Sequence, residues 1–488
     1  MKRNFVQKQS VQYQVLNDHQ CEAIAENIFG VLERTGCMVR NGKARGMLKE
    51  AGCKVEGERV WLPRALVEWA VRSCPSSITM YDRFAKPAFT LAPHQANFGP
   101  TNSDTFVYDM TTDEKRRATL EDAKKYAILC DNLPNMDWAS TLVMISDLDD
   151  RLADLYELNT ALRLTSKPIM NFSFAPDNLR EMIEMCEVIA GGADSLALHP
   201  FIMTMICPID PLQHSEGGLD QIMYMAGKNL PYLYVPGMSL GLSSPTTFAG
   251  SISLGMADAF VGLVVGQLTK KGSPFISCNY TDNINPRTVT ITYSHPEYQL
   301  VTAASADVYR YLGIPFSTNC GASSSGIFDE EYVFECTTSL HNALLSGTNM
   351  GFAIGSTECG RSSSPEALVF CDEALGFLKR TVEGIEISEY TLAADLIDKV
   401  GPGGNFLAEE TTVKELRGFW KSDVIVDMPY DQRKTEKYPD MKERLHAKVE
   451  EIVAKGPRYP LAADLEAKLD AIVKEAEARV RKMKEANK

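Results

Sequence analysis

The chain has 488 residues, 44% of them hydrophobic and 23% charged, and a formal net charge of −14. That composition excludes wholesale disorder, and the length allows more than one domain. The acidic balance argues against a nucleic-acid or anionic-membrane partner, either of which favours a basic surface.

Met1-Lys2-Arg3 leads into polar residues, so no secretory signal is expected. Twelve cysteines form no Cys-x-x-Cys pair, and several sit inside apolar runs. This is the pattern of reduced core thiols in a cytoplasmic protein. Residues 1–90 read as an N-terminal helical cap. Leu16-Asn17-Asp18 opens a helical pattern that ends at Thr35-Gly36, and a second helix near Lys43–Ala51 stops at Gly52. Lys54–Trp61 reads as a small hairpin turning at Glu56-Gly57, and Leu62-Pro63 starts a third helix.

From about Ala96 short β-prone runs alternate with helical patterns. The runs are Asn97–Pro100, Trp138–Met144, Pro168–Phe174, Phe201–Cys207, Pro231–Pro236, Pro274–Asn279, Pro315–Cys320 and Met350–Gly355. The helical patterns are Leu120–Cys130, Asp150–Leu164, Asp177–Ala190, Glu216–Lys228, Pro245–Lys270, Glu297–Leu312, Asp329–Ser346 and Pro365–Lys379. Several strands are entered by Pro, which suits a strand's start and not its middle. Alternation of this kind demands right-handed crossovers and a parallel sheet. Eight units in roughly 280 residues predict an α/β chain with a (β/α)8 TIM barrel over residues 91–385. A doubly wound sheet is the runner-up, disfavoured because no Gly-x-Gly-x-x-Gly follows the first strand. The longest apolar run, Gly255–Leu268, is interrupted by Asp258 and reads as a buried helix, not a membrane span.

Residues 386–488 read as a C-terminal helical extension. Val400-Gly401-Pro402-Gly403-Gly404 is a strong break, followed by helices near Thr412–Trp420 and Asp440–Ala454. The tail from Leu461 carries Leu465, Leu469, Ile472 and Val473 at helical spacing. It could pack on the barrel, on another subunit, or stand in solvent.

A TIM barrel places its chemistry where the strands end. The residues there are Thr101, Asn102, Ser103, Asn171, Ser173, Cys207, Gly237, Asn279, Tyr280, Asn319, Cys320, Thr357 and Glu358. Seven histidines are scattered without metal-ligand spacing, so no metal site is expected. No Gly-x-Ser-x-Gly elbow occurs, and lysines are scarce at strand ends. Aromatic side chains are better placed. Phe98, Phe172, Phe174, Tyr280, Phe316 and Phe352 lie on or just past strands, and Tyr293 and His295 fall in a long loop after the sixth. Ring faces plus one carboxylate can hold a quaternary ammonium ion, which donates no hydrogen bond. Most such rings pack the core; Tyr280 and Tyr293 are the strongest exceptions. Glu358 is either the counter-charge or a helix cap.

Cys320–Ser325, Gly347-Thr348-Asn349-Met350, Gly355–Gly360, Val382–Glu386 and Val400–Leu407 together resemble the trimethylamine methyltransferase family. Asp431-Gln432-Arg433 followed by Asp440–Val453 fits its closing helix. Archaeal founders of the family carry pyrrolysine after the seventh strand. Here Gly321–Asp329 holds ordinary residues only, as in the branch similar to glycine betaine methyltransferases and their relatives for proline betaine, carnitine and butyrobetaine. Asn405 and Glu409-Glu410 also stand where histidines are common.

The resemblance implies a cytoplasmic, homo-oligomeric methyltransferase of methylamine metabolism. It would demethylate a quaternary amine, glycine betaine or proline betaine first, and pass the methyl group to the Co(I) corrinoid of a partner corrinoid protein. The departing group would be a neutral amine, so neither a Lewis-acid metal nor a general acid is required. Substrate contacts are expected from Phe98, Asn171, Phe172, Tyr280, Tyr293, His295, Asn319, Glu358 and Arg361, with Arg361 or the asparagines Asn171, Asn279 and Asn319 facing a substrate carboxylate. No catalytic residue is assigned. A lyase or aldolase on a small polar substrate, and a corrinoid-protein scaffold without activity, are the alternatives.

Overall fold

The computed structural model describes residues 13–285, 287–293 and 295–486; Met1-Lys2-Arg3 and the side chain of Asn102 lie outside it. Asn17 caps the first helix, Asp18–Gly30, through a capping box with Gln20. The hairpin Lys54–Glu56 with Arg59–Trp61 forms as the sequence predicts, and the third helix runs Arg64–Ser73.

Seven parallel strands form the main sheet. In spatial order they are Ile169–Phe172, Ile202–Ile206, Tyr232–Tyr234, Phe275–Cys278, Phe316–Asn319, Met350–Phe352 and Asn97–Phe98. The alternation demanded by strand–helix units is therefore present, with helices matching the predicted ones to within a few residues. The run Trp138–Met144 differs. Leu142–Val143 pairs with Asn102–Asp104, and Ala139 makes a lone parallel bridge to Ile169. Asp137 N donates to Phe98 O at 2.7 Å, while its own carboxylate accepts the Phe98 N–H at 2.8 Å. A side chain thus takes a donor that a ladder would give to a backbone carbonyl, and regular pairing stops there. The regular ladder has seven strands where the sequence predicts eight.

Side chains alternate between the faces of a strand. One face gathers Trp138, Met170, Met203, Met205, Leu233, Val235, Ile276, Cys278, Met350 and Phe352 into a single buried cluster. This is the inner face, and the sheet curls around it. Ile78, Met80, Phe89 and Leu91, from the hairpin Ile78–Tyr81 with Pro87–Leu91, join the same cluster. Tyr81 N donates to Pro200 O and Arg83 N to Ser166 O, both just ahead of strands, so the hairpin stoppers the entry end. The opposite face is covered by helices. The most central, Phe248–Thr269, is long and apolar enough to cross a membrane, yet 78% of its most apolar window is buried inside the fold.

The tail forms the helix Ala463–Ala486 and buries Leu469, Ile472, Val473, Ala476 and Val480 against its own chain. Arg479 fixes it to Glu181 at 2.7 Å. Between the sheet and this tail, the helices Glu389–Leu392, Ala394–Val400, Glu410–Leu416 and Tyr430–Thr435 contribute no buried residue.

Candidate active site

The site grows out of the inner row of the strand Phe275–Cys278. Ile276 and Cys278 face inward, and the same alternation carries Tyr280 and Asp282 inward on the extension Tyr280–Asn285. Asn279, of opposite parity, turns to the helix layer and donates to Ser305 Oγ at 3.0 Å. The segment expected as a long loop is partly ordered: Asn283, Ile284 and Asn285 pair antiparallel with Thr292, Ile291 and Thr290. Thr-Ile-Thr is β-prone, and this hairpin delivers Tyr293 back over the strand ends.

Three rings meet there. The Tyr280 and Tyr293 centroids lie 6.4 Å apart at 89°, and those of Tyr280 and Phe352 lie 6.5 Å apart at 79°. Tyr298 packs on Tyr293 at 5.5 Å and donates its hydroxyl to Asn319 O at 2.8 Å. The Asn319 side chain bonds the Tyr293 hydroxyl. Gly237 makes room for Tyr280, since a Cβ there would sit 2.5 Å from the phenol oxygen. Cys207 and Tyr280 keep surface open to water, although burial pushes the Cys207 thiol up to about 12 and the Tyr280 phenol well above its ordinary value. Groups that are both deep and wetted line a recess.

Carboxylates surround this recess. Asp282 is 4% exposed, hydrogen-bonds with Ser239, and keeps one oxygen without a partner. Burial pushes its carboxyl up to about 7, with a smaller push from Asp210. Asp210 accepts from Gly237 N at 2.9 Å, and burial raises it to about 6. Behind it Asp258, driven well above its ordinary value by burial and by Asp210, shares a hydrogen bond with Asp210. A buried pair of this kind holds one proton between two carboxyls. Asp104 accepts from Ser356 Oγ at 2.7 Å, and burial pushes it up to about 8. Among the described residues no group of three His, Cys, Asp or Glu side chains is arranged to hold a metal ion.

Of the residues singled out by sequence, Phe172, Tyr280, Tyr293 and Asn319 come together on the inner side. Phe98 and Asn171 lie on the other face: Phe98 packs among the helices, and Asn171 accepts from Thr204 Oγ1 at 3.0 Å. His295 caps the helix Pro296–Leu312 with its side chain half exposed, 3.8 Å from Glu297. Glu358 pairs with Lys115 and, at 3.8 Å, with Arg361, whose side chain is 67% exposed. Asp104, Asp210 and Asp282 were not singled out. Asp282 was within reach of the alternation argument, two positions beyond Tyr280.

The family model described as trimethylamine methyltransferase (MTTB) matches residues 1–481. A glycine betaine methyltransferase of Desulfitobacterium hafniense is 27% identical over 464 residues, covering 94% of this chain and 96% of that one. A trimethylamine methyltransferase of Methanosarcina barkeri is 27% identical over 482 residues, covering 97% of each. In three dimensions the Methanosarcina barkeri monomethylamine methyltransferase MtmB superposes with a TM-score of 0.52 at 11% identity, over 90% of this chain and 89% of that one, a likeness of fold alone. With a family match running nearly end to end and relatives aligned along almost their full lengths, the chain belongs to the trimethylamine methyltransferase family.

Proposed function

We propose that the protein removes a methyl group from a quaternary amine and passes it to a corrinoid carried by a partner protein. The observation that carries this reading is the right-angled contact of Tyr280 with Tyr293 and Phe352 beside an unpartnered Asp282 oxygen. Ring faces attract a cation through their quadrupole, and a desolvated carboxylate adds to that attraction. Such a pocket offsets the loss of water around a nitrogen that cannot donate a hydrogen bond.

When bound in its partner protein, the corrinoid would supply a Co(I) nucleophile for the methyl group, the tertiary amine leaving with the C–N electron pair. This chain's residues bind the cation, exclude water and fix one methyl toward the open end. Asp137–Ala139 completes the sheet into a (β/α)8 barrel in this reading, and the stoppered entry end leaves the strand ends as the docking face. Glycine betaine and proline betaine are the amines that the sequence resemblance and the 27% identical relative bring forward. The test is to incubate the protein with Co(I) cobalamin and a panel of quaternary amines while following the cobalamin spectrum. Methylation with at least one amine is expected. Silence on every amine, with turnover of a keto acid or sugar phosphate, defeats the reading in favour of a lyase.

A further inference from the structure

The charge balance of the recess narrows the substrate. Asp282 keeps an unpartnered oxygen and is 4% exposed, and Asp210 shares its remaining oxygen with Asp258 alone. Among the described residues neither forms an ion pair with a lysine or arginine, and the charged groups acting on them are other carboxylates. Asp282 faces Ser239 across the parallel pairing and its charge acts on Tyr280, Tyr293 and Cys359, none of them cationic. Around Asp210 stand Cys207, Cys278, Tyr234 and Asp258, with His214 behind, 3.8 Å from Asp258. Burial lowers His214 to about 3, so that ring is neutral. Lys115 pairs with Glu358, Arg361 stands 67% exposed at 3.8 Å from the same carboxylate, and Arg287 lies at the exposed hairpin turn; none of the three acts on Asp282 or Asp210.

A zwitterion entering this recess would bring its own carboxylate against two others, with no cation to receive it. Like charges in a water-poor site repel strongly. We propose that the pocket takes a quaternary ammonium ion that carries no carboxylate, with Asp282 and Asp210 as its counter-charges. This rests on the quaternary-amine reading above and selects within that class.

The arrangement couples binding to protons. Near pH 5.5 the empty recess holds protons on Asp282 and Asp210, whose carboxyls sit at about 7 and about 6. A permanent cation favours their ionised forms, so its binding releases protons and strengthens as pH rises through that range. A zwitterion behaves oppositely, because its carboxylate needs the protonated acids as hydrogen-bond donors.

Calorimetric titration of the full chain at pH 5.5, 7.0 and 8.5 with tetramethylammonium, choline and glycine betaine tests this. The expected result is at least a tenfold gain in affinity for tetramethylammonium and choline from the lowest to the highest pH. Buffers of different ionisation enthalpy should show the proton release, and at pH 8.5 choline should bind at least tenfold more tightly than glycine betaine. Asp282→Asn, with folding checked by thermal melting, should flatten the pH dependence and weaken both cations about tenfold; the wild-type pH series stands whether or not that variant folds. Tighter binding of glycine betaine, flat or falling with pH, overturns the charge assignment while leaving the quaternary-amine reading intact. No binding of any of the three defeats both.

Discussion

Two regions of this molecule are built on opposite terms. At the strand ends, aromatic rings and carboxyls are buried, and several of their oxygens lack partners. Between residues 385 and 430, Ile385, Leu392, Ile397, Leu407, Val413, Phe419 and Tyr430 stand exposed. A cavity of about 880 Å³ opens there, lined by Tyr390, Leu392, Phe406, Leu416 and Phe419. It presents mainly apolar surface where the recess presents charge. An unpartnered oxygen deep in the fold costs free energy that a ligand, a proton or a water molecule offsets.

The largest contrast should appear in stability. Phe352→Ala removes a ring from the inner cluster and should cost about 3–5 kcal/mol of unfolding free energy, whereas Phe419→Ala, at a 60% exposed position, should stay within about 0.5 kcal/mol. Denaturant titration of both variants checks this, and equal costs would break the comparison.

Ligand affinity comes next. Tyr280→Leu keeps apolar bulk and removes the ring face, so tetramethylammonium should bind about tenfold to thirtyfold more weakly, roughly 2 kcal/mol. Undiminished affinity by calorimetry would take Tyr280 out of the cage.

A smaller effect concerns pH. The Asp104 carboxyl is raised to about 8 by burial, above its unfolded value. Between roughly pH 4 and pH 8 the folded chain then binds the extra proton, so stability falls as pH rises. Asp104→Asn should remove up to about 1.4 kcal/mol per pH unit of that slope, read from denaturation midpoints across the range. An unchanged slope would mean that Asp104 is ionised in the folded protein. The smallest effect belongs to the rim. The Glu358 and Lys115 side chains are 31% and 34% exposed, and Glu358→Gln should change stability by less than about 1 kcal/mol. A larger loss on thermal melting would place the rim with the buried recess.

The strands and helices were legible because Pro-entered apolar runs and amphipathic periods are local signals, and each appears within a few residues of its predicted place. The Trp138–Met144 run was harder. Its pairing is decided by a carboxylate–amide bond from Asp137 to Phe98, which no period announces. In the site, Tyr280 and Tyr293 were readable from position past a strand, and the structure sets them face to edge. Parity separates the rest: Asn171 and Phe98 fall on the outward row, where Asn171 accepts from Thr204 of the next strand and Phe98 is covered by helices. The acidic ring of Asp104, Asp210 and Asp282 stayed hidden because its members come from three distant segments.

The stoppered entry end has one more consequence. With Ile78, Met80, Phe89 and Leu91 filling that end, the recess is a cul-de-sac. In the proposed transfer a small amine and a corrinoid protein would share one doorway, so the larger would have to arrive last and would bar the exit of the smaller until it withdrew. Initial-rate kinetics are then expected to be sequential, with the amine bound first.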